Sequence, residues 1–175
     1  LVLLVAATRP EQVAPAHDWM LSRPWDGLPN CPRIIPFGTF HPDDPHWRVE
    51  IDRLRAAGIR GIKLHPEFQG IDLADPRLQP FFEEVAGEFV LMVHVGDPQV
   101  SPQNLSTPRK VAHLLDAYPT LELIAAHLGG YCFWEEALAY LAGRRLYLDT
   151  SSAIQFIDPG LLRRLIDRHG CERIL

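Results

Sequence analysis

The feature of this sequence that most constrains its fold is a series of apolar, β-branched segments at nearly regular intervals. They begin at positions 1, 33, 59, 89, 121, 145 and 173, so successive segments start 24 to 32 residues apart. Continuous apolar segments of this length are typical of strands buried on both faces of a parallel sheet. The predicted strands are LVLLVAA (1–7), RIIPFGTF (33–40), IRGIKLH (59–65), FVLMVHV (89–95), LELIAAH (121–127), RLYLDTS (145–151) and the short RIL (173–175).

The intervals between these segments carry helix start and stop signals. Asp75, Thr107 and Asp158 each precede a proline, which is the pattern of an oxygen-bearing N-cap followed by proline at the first helical position. Gly58 and Gly170 lie where helix C-caps are expected. Strands that alternate with helices in this way predict an α/β fold.

Composition narrows the class of protein. The chain has 175 residues, 47% of them hydrophobic and 22% charged, which suits one globular domain over 1–175. A formal charge of −5, with no basic cluster, argues against a nucleic-acid partner. No apolar segment reaches membrane-spanning length, so we predict no membrane partner. The three cysteines form no CxxC pair, which favours a reducing, cytoplasmic location.

Two α/β architectures are compatible with the repeat. A doubly wound sheet usually carries a glycine-rich turn after its first strand, but LVLLVAATRPEQ contains no glycine. A barrel instead takes its site residues from the C-terminal ends of many strands. Polar residues stand at five predicted strand ends, namely His41, His65, His94, His127 and Asp149. The sequence therefore favours a (β/α)8 TIM-type barrel.

The terminal segments suggest that this barrel is truncated. Residue 1 already lies within an apolar segment, and the last residues, CERIL, resemble the start of another strand. Only seven strands can be counted, and the seventh is three residues long. We therefore expect a single barrel domain that is incomplete at both ends and spans about strands 2 to 8.

Strand alternation predicts which polar side chains point into the barrel. Side chains two residues apart share one face of a strand. This assigns one inward-facing set to each strand end: Lys63 with His65, Met92 with His94, Ala125 with His127, and Tyr147 with Asp149 and Ser151. Histidines that converge from separate rigid strands are suited to a Zn-type metal site.

The candidate site residues differ in how sharply the sequence defines them. His94 and His127 end consecutive strands and each is followed closely by glycine, which favours metal ligation over hydrogen-bonded core histidines. His65 stays open between a ligand, a substrate contact and a support for a ligand. Lys63 could bind an anionic substrate, pair with a carboxylate, or carry a carbamate that bridges two metals. Asp149 could hydrogen-bond a ligand histidine or cap its own loop.

The other polar and aromatic candidates carry less weight. Tyr131 and Trp134 follow the double glycine after the fifth predicted strand; packing of the first helical turn is favoured over a lid on the substrate. The histidines on predicted helices are expected on solvated faces, and they are His17, His113 and His169.

Five motifs in order resemble one known superfamily. GIKLHPEFQG, VHVG, AHLGG, YLDTS and CERIL look like the metal-dependent amidohydrolases, and most of all like their amidohydrolase-related (amidohydrolase 2) TIM-barrel branch. The resemblance covers essentially the whole chain. It implies that His94 and His127 are metal ligands on the fifth and sixth barrel strands. It also places Lys63 and His65 in the fourth-strand KLHP element and Asp149 on the seventh strand.

The resemblance also implies a function. The expected activity is that of a metal-dependent hydrolase, which cleaves a C–N or C–O bond of a small molecule with a metal-activated water. Zn is the expected divalent metal, and self-association into a homo-oligomer is left open. The same branch holds metal-dependent nonoxidative decarboxylases, which are the alternative. The third possibility is an inactive fragment or a non-catalytic binding barrel. The branch's first-strand histidine pair and eighth-strand aspartate are absent from this sequence. We therefore expect this segment alone to be inactive.

Overall fold

The computed structural model describes residues 1–175, which form one parallel sheet with helices between its strands. The strands are β1 (Val2–Leu4), β2 (Ile35–Thr39), β3 (Gly61–Leu64), β4 (Val90–Val93), β5 (Glu122–Ala125) and β6 (Tyr147–Leu148). The helices are α1 (Val13–Leu21), α2 (Trp47–Ala56), α3 (Pro66–Gln69), α4 (Gln79–Val85), α5 (Pro108–Ala117), α6 (Trp134–Tyr140) and α7 (Pro159–His169).

The order of the strands identifies the architecture. The spatial order is β1 to β6 without interruption, and every neighbouring pair is parallel. A doubly wound sheet would reverse its strand order at a switch point, and this sheet does not. The strands and helices form a half-barrel, which confirms the predicted truncated TIM-type barrel. The predicted seventh strand is reduced to a single parallel bridge between Leu148 and Ile174.

Each of the six observed strands lies within its predicted segment but is shorter. The outward-facing side chains explain why these segments are strongly apolar. Ile62, Leu91 and Leu123 lie side by side in the register, and all three are fully buried under the helices. This outer layer belongs to a core cluster of 33 buried residues that extends over most of the chain.

The inward-facing row of the sheet carries the site. The register aligns Thr39, Lys63, Met92, Ile124 and Tyr147 at one level across five strands. Aligned residues of a parallel sheet point to the same face. The predicted inward orientation of Lys63 and of Met92 is therefore confirmed.

One of the predicted inward positions is wrong. Because Ile124 occupies the inward row, its neighbour Ala125 points outward, where it pairs with Val93 and Leu148 and is fully buried in the core. Strict alternation would then direct His127 outward as well. The prediction assumed that the strand conformation continued to its last residue, whereas β5 ends at Ala125.

The predicted helix caps are present. The side chains of Asp75, Thr107 and Asp158 each accept a hydrogen bond from a backbone N–H two or three residues later. Gly58 and Gly170 follow α2 and α7 with φ values of 74° and 91°, a backbone region that favours glycine. The alternation of strand and helix is thus set locally by these residues.

Two of the three helix histidines are not solvated. His17 and His169 are buried, with 0% and 1% exposure, whereas His113 is exposed as predicted. His17 lies against β2 beside Gly38, where an added side-chain carbon would come within 3.0 Å of the His17 ring. At His17 the prediction was wrong because the facing strand leaves space for the ring at Gly38.

None of the helices combines the length and the apolar character needed to cross a bilayer. All three cysteines are free thiols, and Cys132 and Cys171 are exposed.

Candidate active site

The C-terminal ends of β3 to β6 surround a pocket of about 550 Å³. Its floor is polar and its rim carries aromatic rings. The lining residues are Lys63, His65, Glu67, Phe68, His94, Asp97, Pro98, His127, Tyr131, Ser152, Gln155 and Phe156. Four of the five candidate residues from the sequence line this pocket, and the fifth, Asp149, contacts His127 from below.

The ring of His94 is held by its own loop. Its backbone N–H continues the sheet by donating to the carbonyl of Leu64 at 3.0 Å, and its ring Nε2 lies 3.1 Å from the carbonyl oxygen of Gly96. A carbonyl only accepts hydrogen bonds, so Nε2 carries the proton and Nδ1 presents its lone pair. Burial is the main cause that lowers the pKa of His94 to about 3, which keeps the ring neutral at physiological pH.

The ring of His127 reaches the same place by a different route. His127 has a φ of 62°, and this left-handed turn directs its ring to the pocket although alternation would direct it outward. Its Nδ1 lies 2.7 Å from the carbonyl oxygen of Ser151 and 3.1 Å from the hydroxyl of the same residue. Nδ1 therefore donates to that carbonyl, which in the neutral form of the ring leaves the lone pair on Nε2.

The two lone-pair nitrogens face each other. His127 Nε2 and His94 Nδ1 are 3.0 Å apart. Two lone pairs at this separation repel each other, so either a proton or a metal ion is needed between or beside them. In a tetrahedral site with metal–nitrogen distances of ~2.1 Å, two ligand nitrogens lie about 3.4 Å apart, so the pair fits a metal ion with a shift of about 0.4 Å.

His65 supports this pair by stacking. Its ring lies 3.8 Å from the ring of His94 at an interplanar angle of 12°, and 3.8 Å from the ring of Phe68 on its other side at 3°. Its Nδ1 accepts from the backbone N–H of Phe68 at 3.4 Å. Burial and the positive charge of Lys63 lower the pKa of His65 to about 4. His65 is thus a neutral ring that fixes the plane of His94.

Lys63 is a buried cation on the pocket floor. The residue is 6% exposed and lines the pocket, and its ammonium group makes no hydrogen bond or ion pair within the chain. Burial lowers its pKa to about 8, against the opposing effect of the carboxylate of Asp149. A buried ammonium group without a partner is costly, so an anion in the pocket would be bound strongly.

Asp149 acts on the backbone of the site. Its Oδ1 accepts from the backbone N–H of His127 at 3.2 Å and from that of Ser151 at 2.8 Å. Asp149 therefore caps its own loop, which was one of the two roles predicted from the sequence. Its hydrogen bond to His127 is made to the backbone of that residue and not to the ring. Its Oδ2 is buried without a partner.

Two residues that the sequence did not single out organise the rim. Gln69 is buried and donates to the carbonyls of Ala7 at 2.8 Å and Phe40 at 2.7 Å, while its own oxygen accepts from the N–H of His65 at 2.7 Å. Glu67 accepts from the backbone N–H of residues 105 and 106 at 2.9 and 3.1 Å. In the sequence, only their position directly after the KLHP motif could have indicated that they lie near the site.

The chain provides only some of the ligands that a complete metal centre needs. No three His, Cys, Asp or Glu side chains of the chain are grouped closely enough to hold an ion. His41, at the end of β2, is buried and does not line the pocket. The chain thus supplies two converging imidazoles, and further ligands are needed for a closed site.

The sequence model of the amidohydrolase family matches residues 7–175. The chain belongs to the amidohydrolase family. Amidohydrolases are generally metal-dependent, which agrees with the fit of the two imidazoles to a metal ion. No curated protein matches the chain.

Two solved structures share the TIM-barrel fold of this chain. An uncharacterized TIM-barrel protein from Bordetella bronchiseptica is 16% identical, with a TM-score of 0.55 over 78% of this chain and 48% of the other. An amidohydrolase 2 from Bifidobacterium longum subsp. infantis is 18% identical, with a TM-score of 0.53 over 90% of this chain and 58% of the other. This amidohydrolase chain therefore spans about half the length of the structures it matches.

Proposed function

We propose that the protein is a metal-dependent hydrolase that cleaves a C–N or C–O bond in a small molecule. The observation that carries this proposal is the convergence of two imidazole nitrogens, His94 Nδ1 and His127 Nε2, at 3.0 Å. Both tautomers are held by backbone carbonyls, so the lone pairs have no partner other than each other. Membership in the amidohydrolase family supports the same assignment.

His94 and His127 are the residues that would hold the metal, and we propose Zn because imidazole nitrogens suit it. A bound divalent ion supplies Lewis-acid chemistry, which activates water and polarises a carbonyl group. His65 keeps the plane of His94 fixed, and Asp149 keeps the backbone of His127 fixed.

The chain's own residues also provide a substrate pocket. We propose that the ammonium group of Lys63 binds an anionic group of the substrate, because this buried residue lines the pocket and has no ion-pair partner within the chain. Phe68 and Phe156 are 69% and 57% exposed at the rim, so they can cover an apolar part of the substrate.

The second candidate is nonoxidative decarboxylation within the same superfamily. The specific observation that favours it is again Lys63, because a buried ammonium group is suited to hold the carboxylate that is lost. Release of CO2 from a carboxylated substrate, without uptake of water into the product, would distinguish the decarboxylase from the hydrolase.

Metal binding is the first test. The full-length protein is purified without chelators, its metal content is measured by mass spectrometry, and Zn affinity is measured by chelator competition. We expect His94→Ala and His127→Ala to weaken Zn binding at least tenfold, because each removes one of the two converging nitrogens. The matched control is His113→Ala, which removes an exposed helix histidine and should leave the affinity unchanged.

A native protein that binds no metal above background would reject the hydrolase and the decarboxylase proposals together. The remaining alternative would then be a non-catalytic binding barrel.

We also propose three further properties of the protein: a single domain over 1–175, a cytoplasmic location and a small-molecule substrate. The three free cysteines support the location, and fractionation with an antibody against the chain tests it.

A further inference from the structure

The turn after β5 has an unusual backbone. His127, Leu128 and Gly129 have consecutive φ values of 62°, 55° and 82°. The left-handed region costs about 1–2 kcal/mol for each residue that carries a side chain. Such conformations persist only when the surrounding structure holds them. Two of the three residues here are not glycine, so the turn needs specific contacts.

The turn has a definite consequence for the site. Ala125 points outward in the register of the sheet, and an extended chain would carry the ring of His127 to the same outer side. The left-handed turn instead brings its ring to within 3.0 Å of His94. The convergence of the two imidazoles therefore depends on the backbone conformation of His127 and not on strand alternation.

Three contacts from outside the turn hold it. The indole N–H of Trp134 donates to the carbonyl of His127 at 2.9 Å. The backbone N–H groups of His127 and Leu128 both donate to Asp149, at 3.2 Å to its Oδ1 and 2.7 Å to its carbonyl. Trp134 is the first residue of α6, is 9% exposed and does not line the pocket.

We infer that Trp134 is a positioning residue, which holds the left-handed turn so that His127 Nε2 meets His94 Nδ1. The indole N–H holds the carbonyl of His127, which also accepts a longer hydrogen bond from the backbone N–H of Gly130 at 3.3 Å. With the carbonyl fixed, the ring lies where its Nδ1–H reaches the carbonyl of Ser151. The part of this inference that concerns metal affinity rests on the proposed function; the part that concerns the ring of His127 does not.

The test compares two tryptophans. Trp134→Phe removes the indole donor and keeps an aromatic ring. Trp47→Phe is the matched control, because Trp47 is half-buried against Phe40 and Phe81. It does not line the pocket, and its indole makes no hydrogen bond within the chain. A second variant replaces Trp134 by 3-benzothienylalanine, which has sulfur in place of the N–H and preserves the shape of the side chain. This variant keeps the test valid if Trp134→Phe fails to fold.

The first readout is the ring tautomer of His127 in metal-free full-length protein. It is measured from the 15N chemical shifts of the ring, and the signal is assigned by its loss in His127→Gln. We expect one tautomer, with the proton on Nδ1, in the native protein and in Trp47→Phe. We expect a mixture of tautomers in both Trp134 variants, because the ring no longer stays against Ser151.

The second readout is Zn affinity by chelator competition. Loss of a group that orients a ligand typically weakens metal binding about 10- to 100-fold, and we expect this loss in both Trp134 variants but not in Trp47→Phe. If the native protein binds no Zn but the tautomer of His127 still changes, the proposed function fails and the positioning role stands. If both Trp134 variants match Trp47→Phe in tautomer, the positioning role is overturned.

Discussion

At the scale of single residues, His17 shows how burial changes the chemistry of a side chain. Its ring is fully buried on α1, its Nδ1 donates to the carboxylate of Glu50 at 2.8 Å, and its Nε2 accepts from the backbone N–H of Thr39 at 3.1 Å. A protonated ring could not accept at Nε2. Burial lowers the pKa of His17, against the opposing effect of Glu50, so the folded protein keeps this ring neutral.

This geometry predicts a loss of stability as the pH falls. The pKa of His17 in the folded state lies below its unfolded value near 6.5, so between the two values the unfolded chain binds more protons. The free energy of unfolding then decreases as the pH is lowered below about 6.5, with a slope of at most about 1.4 kcal/mol per pH unit from this one group.

Urea unfolding at a series of pH values measures this slope. We expect His17→Gln to reduce the slope, because an amide can donate to Glu50 and accept from Thr39 without titrating. His113→Gln, at an exposed position, should leave it unchanged. Equal slopes in the native protein and His17→Gln would contradict the prediction.

At the scale of secondary-structure elements, Gln69 joins the ends of three strands. It lies in α3, directly after the strand that carries Lys63, and its amide binds the carbonyls that follow β1 and β2 and the N–H of His65 that follows β3. Both amide hydrogens and one lone-pair position of the oxygen are used. The rim of the half-barrel is therefore tied together by one side chain.

Gln69→Met should destabilise the fold strongly. The change keeps the length of the side chain but leaves the carbonyls of Ala7 and Phe40 and the N–H of His65 without partners. Because each unsatisfied buried group costs about 1–3 kcal/mol and three groups lose their partner, we expect a total loss of at least about 3 kcal/mol by urea denaturation. Gln79→Met, at an exposed position on α4, should stay within about 0.5 kcal/mol of the native protein. If Gln69→Met lowered the free energy of unfolding as little as Gln79→Met, water would have replaced the hydrogen bonds of Gln69.

At the scale of the whole molecule, one core connects the sheet to its outer helices. Phe81 on α4 is fully buried and stacks on Phe40, which follows β2, with ring centroids 3.8 Å apart. Both belong to the 33-residue core cluster that also contains the outward-facing side chains of β3, β4 and β5. The site on the inner side of the sheet therefore rests on a continuous packed layer.

Phe81→Ala should remove a large part of the stability of the fold. Truncation of a buried phenylalanine costs about 3–5 kcal/mol, because it removes apolar contacts and leaves a cavity. Phe156→Ala provides the comparison at a ring that is 57% exposed, where we expect a change within about 0.5 kcal/mol. Chemical denaturation monitored by circular dichroism measures both, and similar losses in the two variants would show that the core is not packed as described.

The sequence by itself determined the architecture and the residues at the strand ends. Apolar segments at 24- to 32-residue intervals and capping residues beside prolines are local signals, so they predict strands and helices without knowledge of tertiary contacts. Alternation within a straight strand correctly placed Lys63 inward. The same local rules located His94 and His127 at neighbouring strand ends.

Only the tertiary structure decided how these residues meet. Alternation failed at β5, because a left-handed turn held by Asp149 and Trp134 redirects the ring of His127. The lone pairs of the histidine pair are directed by backbone carbonyls, one of which lies 24 residues away in the sequence. Periodicity reports which face of an element is apolar. It contains no information on contacts between distant segments, and these contacts set the geometry of the site.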